Sequence, residues 1–386
     1  MANTLTLTSL TELIYAARDK VAREAVGFIP SVLVNSSTEG VSLGGTVVSH
    51  VTAQPTLNTS YTPAMTIPAA DDLTISSATM TIGQVANVRV PMTGENAKQL
   101  ENTAGYEKVM NDVWGNSFRK IVNAIELHIA TIAYKGSSRA TGTAGTTPFA
   151  SNLNPINNLR QILQDNGAPV DSGELRFVAG TAAGTALRNL TQLQKVNEAG
   201  GSDLLRRGTL LDLSGFQVRE SAQVVTTTAG TGASYQTNSS GLVTDTTAIP
   251  VDTGSGTVLA GDVITFASGA GSGRNYVVGT ALSGGTLSIN APGLRGAIPD
   301  NNAVTVGSAY TANLGFVRSA IELTLRPPAQ PYGGDAAVDR MTLSDDVSGL
   351  VFEVAQYKGY GMGMFDITVF YQAKVWKPEF VATLMG

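Results

Sequence analysis

The stretch Thr103 to Lys135, TAGYEKVMNDVWGNSFRKIVNAIELHIATIAYK, limits the possible folds of this chain more than any other. Val109, Val113, Phe118, Ile121, Val122, Ile125, Ile129 and Ile132 return at helical spacing and draw one apolar stripe along an α-helix. No proline interrupts the run. Asn102 and Thr103 stand where an N-cap is wanted, and Gly136, Ser137 and Ser138 close the far end. At about 1.5 Å per residue such a helix spans on the order of 50 Å, several times the usual length. Most long amphipathic helices are simply core. One this long, alone among β signals, predicts a strut for a flat subunit. Its stripe should face strands in 350–376, and Asn116, Lys120 and Asn123 should lie on a polar face.

The flanking segments differ in character. Residues 9–26 predict a short amphipathic helix, with Leu10, Leu13, Ile14, Ala17, Val21 and Ala25 on one face, ended by Gly27-Phe28-Ile29-Pro30. It either packs on its own subunit or forms an arm that docks elsewhere. Residues 31–97 are extended and rich in Thr, Ser and Pro, with β alternation at 46–51 and 73–90. So long a stretch without a dense apolar core predicts a β-hairpin whose partners lie on a neighbour. Beyond the long helix an α/β pattern begins: helices at 154–165 and 182–196, strands at 175–178 and 216–220.

Residues 222–316 change again. Forty of these 95 residues are Gly, Ser or Thr, and six are charged, so little but short strands fits them. Strand signals at 248–251, 262–267, 276–278, 286–289 and 304–306, separated by turns, predict an inserted all-β barrel or sandwich. Strands return at 319–325, 350–356 and 365–376, with 357–363 as the connecting turn of the last pair.

Composition narrows the function. Charged residues make up 14% of the chain, well below the usual quarter, which points to a surface largely spent in contacts. A formal net charge of −5 argues against a polyanion-gripping protein. The absence of Cys removes disulfides, thiol catalysis and Cys-type zinc sites. No basic n-region precedes an apolar run near the start, so no signal peptide is expected, and no apolar run is long enough to cross a membrane as a helix. His50 and His128 are the two histidines, too few for a triad or a His-rich metal centre. Asp71-Asp72 and Asp345-Asp346 fit solvated turns better than calcium loops. Gly180 and Gly184 precede a helix without the Lys-Ser or Lys-Thr of a phosphate loop. Neither an enzyme nor a cofactor site is expected.

Five stretches carry a family resemblance: REAVGFIPSVL (23–33), KVNEAGGSDLLRRGTLLDLSGFQVRES (195–221), LAGDVITFAS (259–268), AYTANLGFVRSAIEL (309–323) and VWKPEFVATLMG (375–386). With the order of the pieces, they make the chain resemble a tailed-bacteriophage major capsid protein. The resemblance is to the Hong Kong 97-like α+β fold, in the short-tailed-phage form that carries an inserted β-barrel. It implies an N-terminal arm (1–38), an E-loop (39–97), a P-domain with the spine helix (98–149) and an A-domain (150–221). A β-barrel I-domain (222–316) and closing A/P strands (317–386) complete the layout. It further implies a virion shell of hexamers and pentamers, assembled in the host cytoplasm with scaffolding and portal proteins, then expanded around non-specifically held double-stranded DNA. No membrane, metal or cofactor takes part. Some relatives weld the shell through an E-loop lysine; no lysine lies between Glu39 and Ala97, so no covalent cross-link is expected from this loop. Asp245 and Arg295, two of the few insertion charges, are candidates for ion pairs between capsomers. The alternatives are an encapsulin-like compartment and a secreted surface-layer or adhesin protein.

Overall fold

The computed structural model describes residues 12–18, 20, 27–52, 59, 61–67, 75–101, 106–194, 212–239, 241–345 and 349–386. The long helix runs from Tyr106 to Lys135, 30 residues. The expected caps Asn102 and Thr103 lie outside the described residues. Its buried stripe is Met110, Trp114, Phe118, Ile121, Val122, Ile125, Ile129 and Ala133. Val109, expected on the stripe, is exposed. Near the N-terminal end the stripe is set by the two larger side chains, Met110 and Trp114, four residues apart, and this turns Val109 outward. Asn116, Lys120 and Asn123 are exposed, as expected.

That stripe lies on a six-stranded sheet built around the 14-residue strand Met362–Val375. Along one edge it pairs with Gln84–Thr93, from Met362↔Thr93 to Tyr371↔Gln84. Along the other it pairs first with Val351–Gly359 and then with Ile321–Arg326. Ala337–Ser344 and Leu33–Ser36 extend the sheet outward. Period-two alternation sends Phe365, Ile367, Val369, Tyr371 and Ala373 inward. Trp114 meets Phe365 edge-on with centroids 5.3 Å apart, and Phe118 meets Phe352 at 5.1 Å. The turn expected at 357–363 shrinks to Tyr360-Gly361, because Gly361 at φ 68° permits a two-residue hairpin.

The alternating run at 73–90 divides. Ile75–Thr81 pairs with Thr46–Thr52 in a separate two-stranded hairpin, whereas Gln84–Thr93 enters the main sheet. Reciprocal 2.9 Å bonds, Gly44 N–H to Ile82 O and Ile82 N–H to Gly45 O, close the hairpin base. A helix not expected from the sequence, Gly94–Glu101, follows; Asn96 N–H donates to Thr93 Oγ1 at 3.2 Å, so Thr93 caps it.

The second sheet has eleven strands. Six close into an antiparallel barrel in the order Val263–Phe266, Ala303–Val306, Tyr235–Thr237, Ala248–Asp252, Thr286–Ile289 and Asn275–Ser283, the last returning to the first through Val263↔Val277. Ile249, Ile264, Tyr276, Val278, Leu287 and Ile298 fill it. The ladder continues through Tyr276↔Arg139 into Arg139–Gly142, Val381–Met385, Ala312–Val317, Leu175–Ala179 and Gln217–Glu220. Asn154–Asp165 and Thr181–Arg188 pack on these last strands over their own core, which includes Leu159, Leu163, Phe177, Leu187 and Phe216. The second expected helix stops at Arg188, a short turn Thr191–Gln194 follows, and 195–211 lie outside the described residues. Of the N-terminal helix, 12–18 are helical, and Ile14 and Ala17 are buried in the long helix's core, so this piece packs on its own chain.

Candidate assembly interface

Among the described residues, the five most exposed large apolar side chains lie on loops between strands. Between the hairpin strands, Tyr61, Met65 and Ile67 are 93%, 105% and 95% exposed. Tyr332, beside Gly333 and Gly334, and Tyr360, on the two-residue turn, are 108% and 106% exposed. Large apolar groups held clear of their own chain mark a surface for another molecule. The hairpin is fixed where it leaves the body: Lys374 Nζ donates to Thr79 O at 2.9 Å and sits 4.2 Å over the Trp376 ring. Trp376 Nε1 in turn donates to Glu322 Oε2 at 2.6 Å, and Asn35 Nδ2 to Glu322 Oε1 at 2.8 Å. The base is anchored, while Tyr61, Met65 and Ile67 beyond it stay exposed.

Two joints hold the parts behind these loops. The first is Glu126, 4% exposed in the middle of the long helix. Its Oε1 accepts from Ile29 N–H at 2.8 Å; its Oε2 accepts from Phe28 N–H at 3.0 Å and from the Ser221 hydroxyl at 2.8 Å. One carboxylate thereby joins the N-terminal segment, the helix and the point where the chain leaves the α/β region for the barrel. A Cβ on Gly27 would lie 2.4 Å from Glu126 Oε2, so only glycine fits this approach.

The second joint ties the barrel to the end of the helix. Asn290 Nδ2 donates to Lys135 O at 2.7 Å and Ser137 O at 2.8 Å, satisfying carbonyls the helix cannot pair itself. Gly261 lies against the Tyr134 ring, and its carbonyl accepts from the Tyr310 hydroxyl at 2.7 Å. Burial, with Tyr134 and Asp262 nearby, pushes the Tyr310 hydroxyl far above its ordinary range. Burial also raises Asp262, although Leu259 N–H and Gly230 N–H donate to it.

The groups considered for chemistry do not converge. His50 lies on the hairpin strand. His128 is edge-on to Tyr371 at 5.4 Å, its Nε2 is buried without a partner, and burial lowers its pKa. Asp345 sits in a turn, its N–H donating to Leu350 O at 2.9 Å; Asp71, Asp72 and Asp346 lie outside the described residues. Among the described residues no three His, Cys, Asp or Glu side chains group as metal ligands, and no helix is long and apolar enough to cross a membrane. Asp245 and Arg295 are brought together within the chain, Oδ1 to Nη1 at 3.5 Å, and Arg295 Nη2 also donates to Asp165 O at 3.0 Å.

Sequence reasoning missed both joints. Glu126 did leave a signal, a charge four residues from Val122 and from Ala130, inside the apolar stripe. Asn290 left none, because its partners are backbone carbonyls 155 and 153 residues away.

No known family and no curated protein matches the sequence. Solved structures do match. The chain resembles the capsid of cyanophage P-SCSP1u at 11% identity and a TM-score of 0.50, over 93% of this chain and 88% of that one. A structure from Mycobacterium phage Che8 aligns at 14% identity and TM-score 0.47, over 88% and 84%. The capsid of a native GTA particle aligns at 10% and 0.48, over 94% and 90%. At these identities the likeness is one of fold: the chain has the mixed α/β fold of a phage capsid protein, with a closed β-barrel.

Proposed function

We propose that the chain is the major capsid protein of a tailed bacteriophage and builds an icosahedral shell around double-stranded DNA. The observation that carries this reading is the anchored hairpin with its apolar tip, Tyr61, Met65 and Ile67, on a capsid-type fold. Such a tip gains free energy only by burial on another copy, at about 25 cal/mol per Å² of apolar surface. On the Hong Kong 97-like plan the hairpin belongs to the E-loop (39–97), the long helix to the P-domain (98–149), 150–221 to the A-domain and the barrel to the I-domain (222–316), with 317–386 as closing A/P strands. Hexamers and pentamers assemble on a scaffolding protein with a portal in the host cytoplasm and expand as DNA enters, held by confinement. The subunit itself catalyses nothing.

Asp245 serves contacts between capsomers in this reading. Its carboxylate is two-thirds exposed, so it can reach a neighbour while Arg295 steadies it from behind. Reversing either charge should weaken the shell against heating; unchanged assembly and stability would remove the role. Electron microscopy of the expressed chain, alone and with a scaffolding protein, tests the whole reading. Closed icosahedral shells are expected, and a stable monodisperse monomer under both conditions would refute it. Nucleic acid within purified shells separates a phage capsid from an encapsulin-like compartment.

A further inference from the structure

A polar cavity of about 360 Å³ opens between the helix Asn154–Asp165, the strand Arg139–Gly142 and the barrel turn at Gly273. Its lining is rich in donors: Arg139, Arg274, Asn158, Gln161 and Asn275 all carry N–H groups, and Asp165 is its one acid. Arg139 is 5% exposed. Its Nη2 donates to Ile162 O at 3.2 Å and to Asn166 Oδ1 at 3.1 Å, and lies 3.6 Å from Asp165 Oδ2. Its Nε is buried and has no partner. Asn166 is fixed in turn, donating to Ser138 Oγ at 3.1 Å and Glu379 O at 2.8 Å, so the guanidinium is held in place.

Charge around this cavity does not balance. Two lining guanidiniums, Arg139 and Arg274, face one lining carboxylate, Asp165, and the nearby Arg295 is paired with Asp245. Burial, together with the neighbouring Arg295 and Arg274 and against the pull of Asp165, lowers the pKa of Arg139. A buried guanidinium with unused donor capacity and excess positive charge is costly unless an anion completes it. The planar fork suits carboxylate and phosphate oxygens, and amide donors around it suit the remaining oxygens.

We infer that this cavity binds an oxyanion, a phosphate or carboxylate group, with Arg139 and Arg274 as its charged donors. Two sources carry that chemistry: a free inorganic anion, or a carboxylate side chain of a second copy of this acidic chain. The cavity stands apart from the shell reading, because one chain supplies all of its lining; only the second source rests on that reading.

The test is calorimetric titration of inorganic phosphate into the full-length unassembled chain at constant ionic strength. Saturable one-site binding is expected. Arg274→Gln should weaken it at least about tenfold, the value of one lost charge-assisted bond. Arg274 is half-buried, so this substitution leaves no buried charge behind. The same titration on assembled particles separates the sources: retained binding identifies a free anion, and lost binding identifies a neighbour's carboxylate in the cavity. No saturable binding to the unassembled chain, or binding that Arg274→Gln leaves unchanged, overturns the inference.

Discussion

A methyl group added at two glycines should act in opposite directions. At Gly27 the new Cβ meets Glu126 Oε2 at 2.4 Å and Ser221 Cβ at 2.7 Å, and the carboxylate cannot yield without dropping bonds to Phe28, Ile29 or Ser221. Gly27→Ala should therefore cost about 1–3 kcal/mol. At Gly115, inside the long helix, no atom lies within 4 Å of the added Cβ, so Gly115→Ala should gain roughly 0.5–1 kcal/mol from helix propensity. Urea unfolding of the unassembled chain measures both, and a neutral Gly27→Ala would mean that the Glu126 clamp is loose. Asp335 makes a prediction in pH. Its hydrogen bonds from the Arg340 guanidinium, then from Ala337 N–H and the Tyr357 hydroxyl, hold its pKa at about 2 against an ordinary 3.8. A depressed carboxylate stabilises the fold above its unfolded pKa and loses that contribution as pH falls through the folded value. Asp335→Asn should flatten the stability curve between about pH 4 and about pH 2. Parallel curves for variant and wild type over that window would deny the Arg340 contact this role.

Among the elements, the hairpin separates folding from assembly. Tyr61, Met65 and Ile67 touch little of their own chain, so changing all three to Ser should leave the stability of the unassembled chain within about 0.5 kcal/mol. Shell yield, read by light scattering and electron microscopy, should collapse. Assembly at the wild-type rate would show that the tip makes no contact. The same elements show what a sequence can reveal. The long helix was legible because a 3.6-residue period persists over eight turns. Its phase was legible from Phe118 to Ile129 but not at the N-terminal end, where Met110 and Trp114 outweigh Val109 only once Phe365 stands opposite. The run 73–90 carried the right alternation, but period two does not say which ladder a strand joins, and one run serves two. Gly94–Glu101 lacks any apolar stripe, and Ala337–Ser344 mixes charges into its alternation, so neither was legible. The barrel strands were largely legible, since Gly-rich turns punctuate them. The joints were not: Glu126 and Asn290 act on backbone groups far away in sequence.

At the scale of the whole molecule, three cores are joined by hydrogen-bonded seams, and the surface is poor in charge. The proposed shell of such subunits would hold through many modest contacts repeated by symmetry, each worth little alone. Covalent welding would be the other route to strength, and the composition closes two ways to it. The chain has no Cys, so no disulfide can link neighbours. No lysine lies between Glu39 and Ala97, so the hairpin that reaches furthest carries no amine to form an amide with a neighbour. Arg89 and His50 are the basic residues of that segment; a guanidinium that stays protonated is a poor nucleophile, and an acylated imidazole hydrolyses, so neither leaves a lasting link. Mature shells boiled in SDS without reductant should therefore run as a single monomer band. They should also dissociate in denaturant at a concentration that varies with subunit concentration, as a non-covalent assembly must. A ladder of multimers surviving the boil would place a covalent bond somewhere outside the hairpin and would end the account of this shell as held by non-covalent contacts alone.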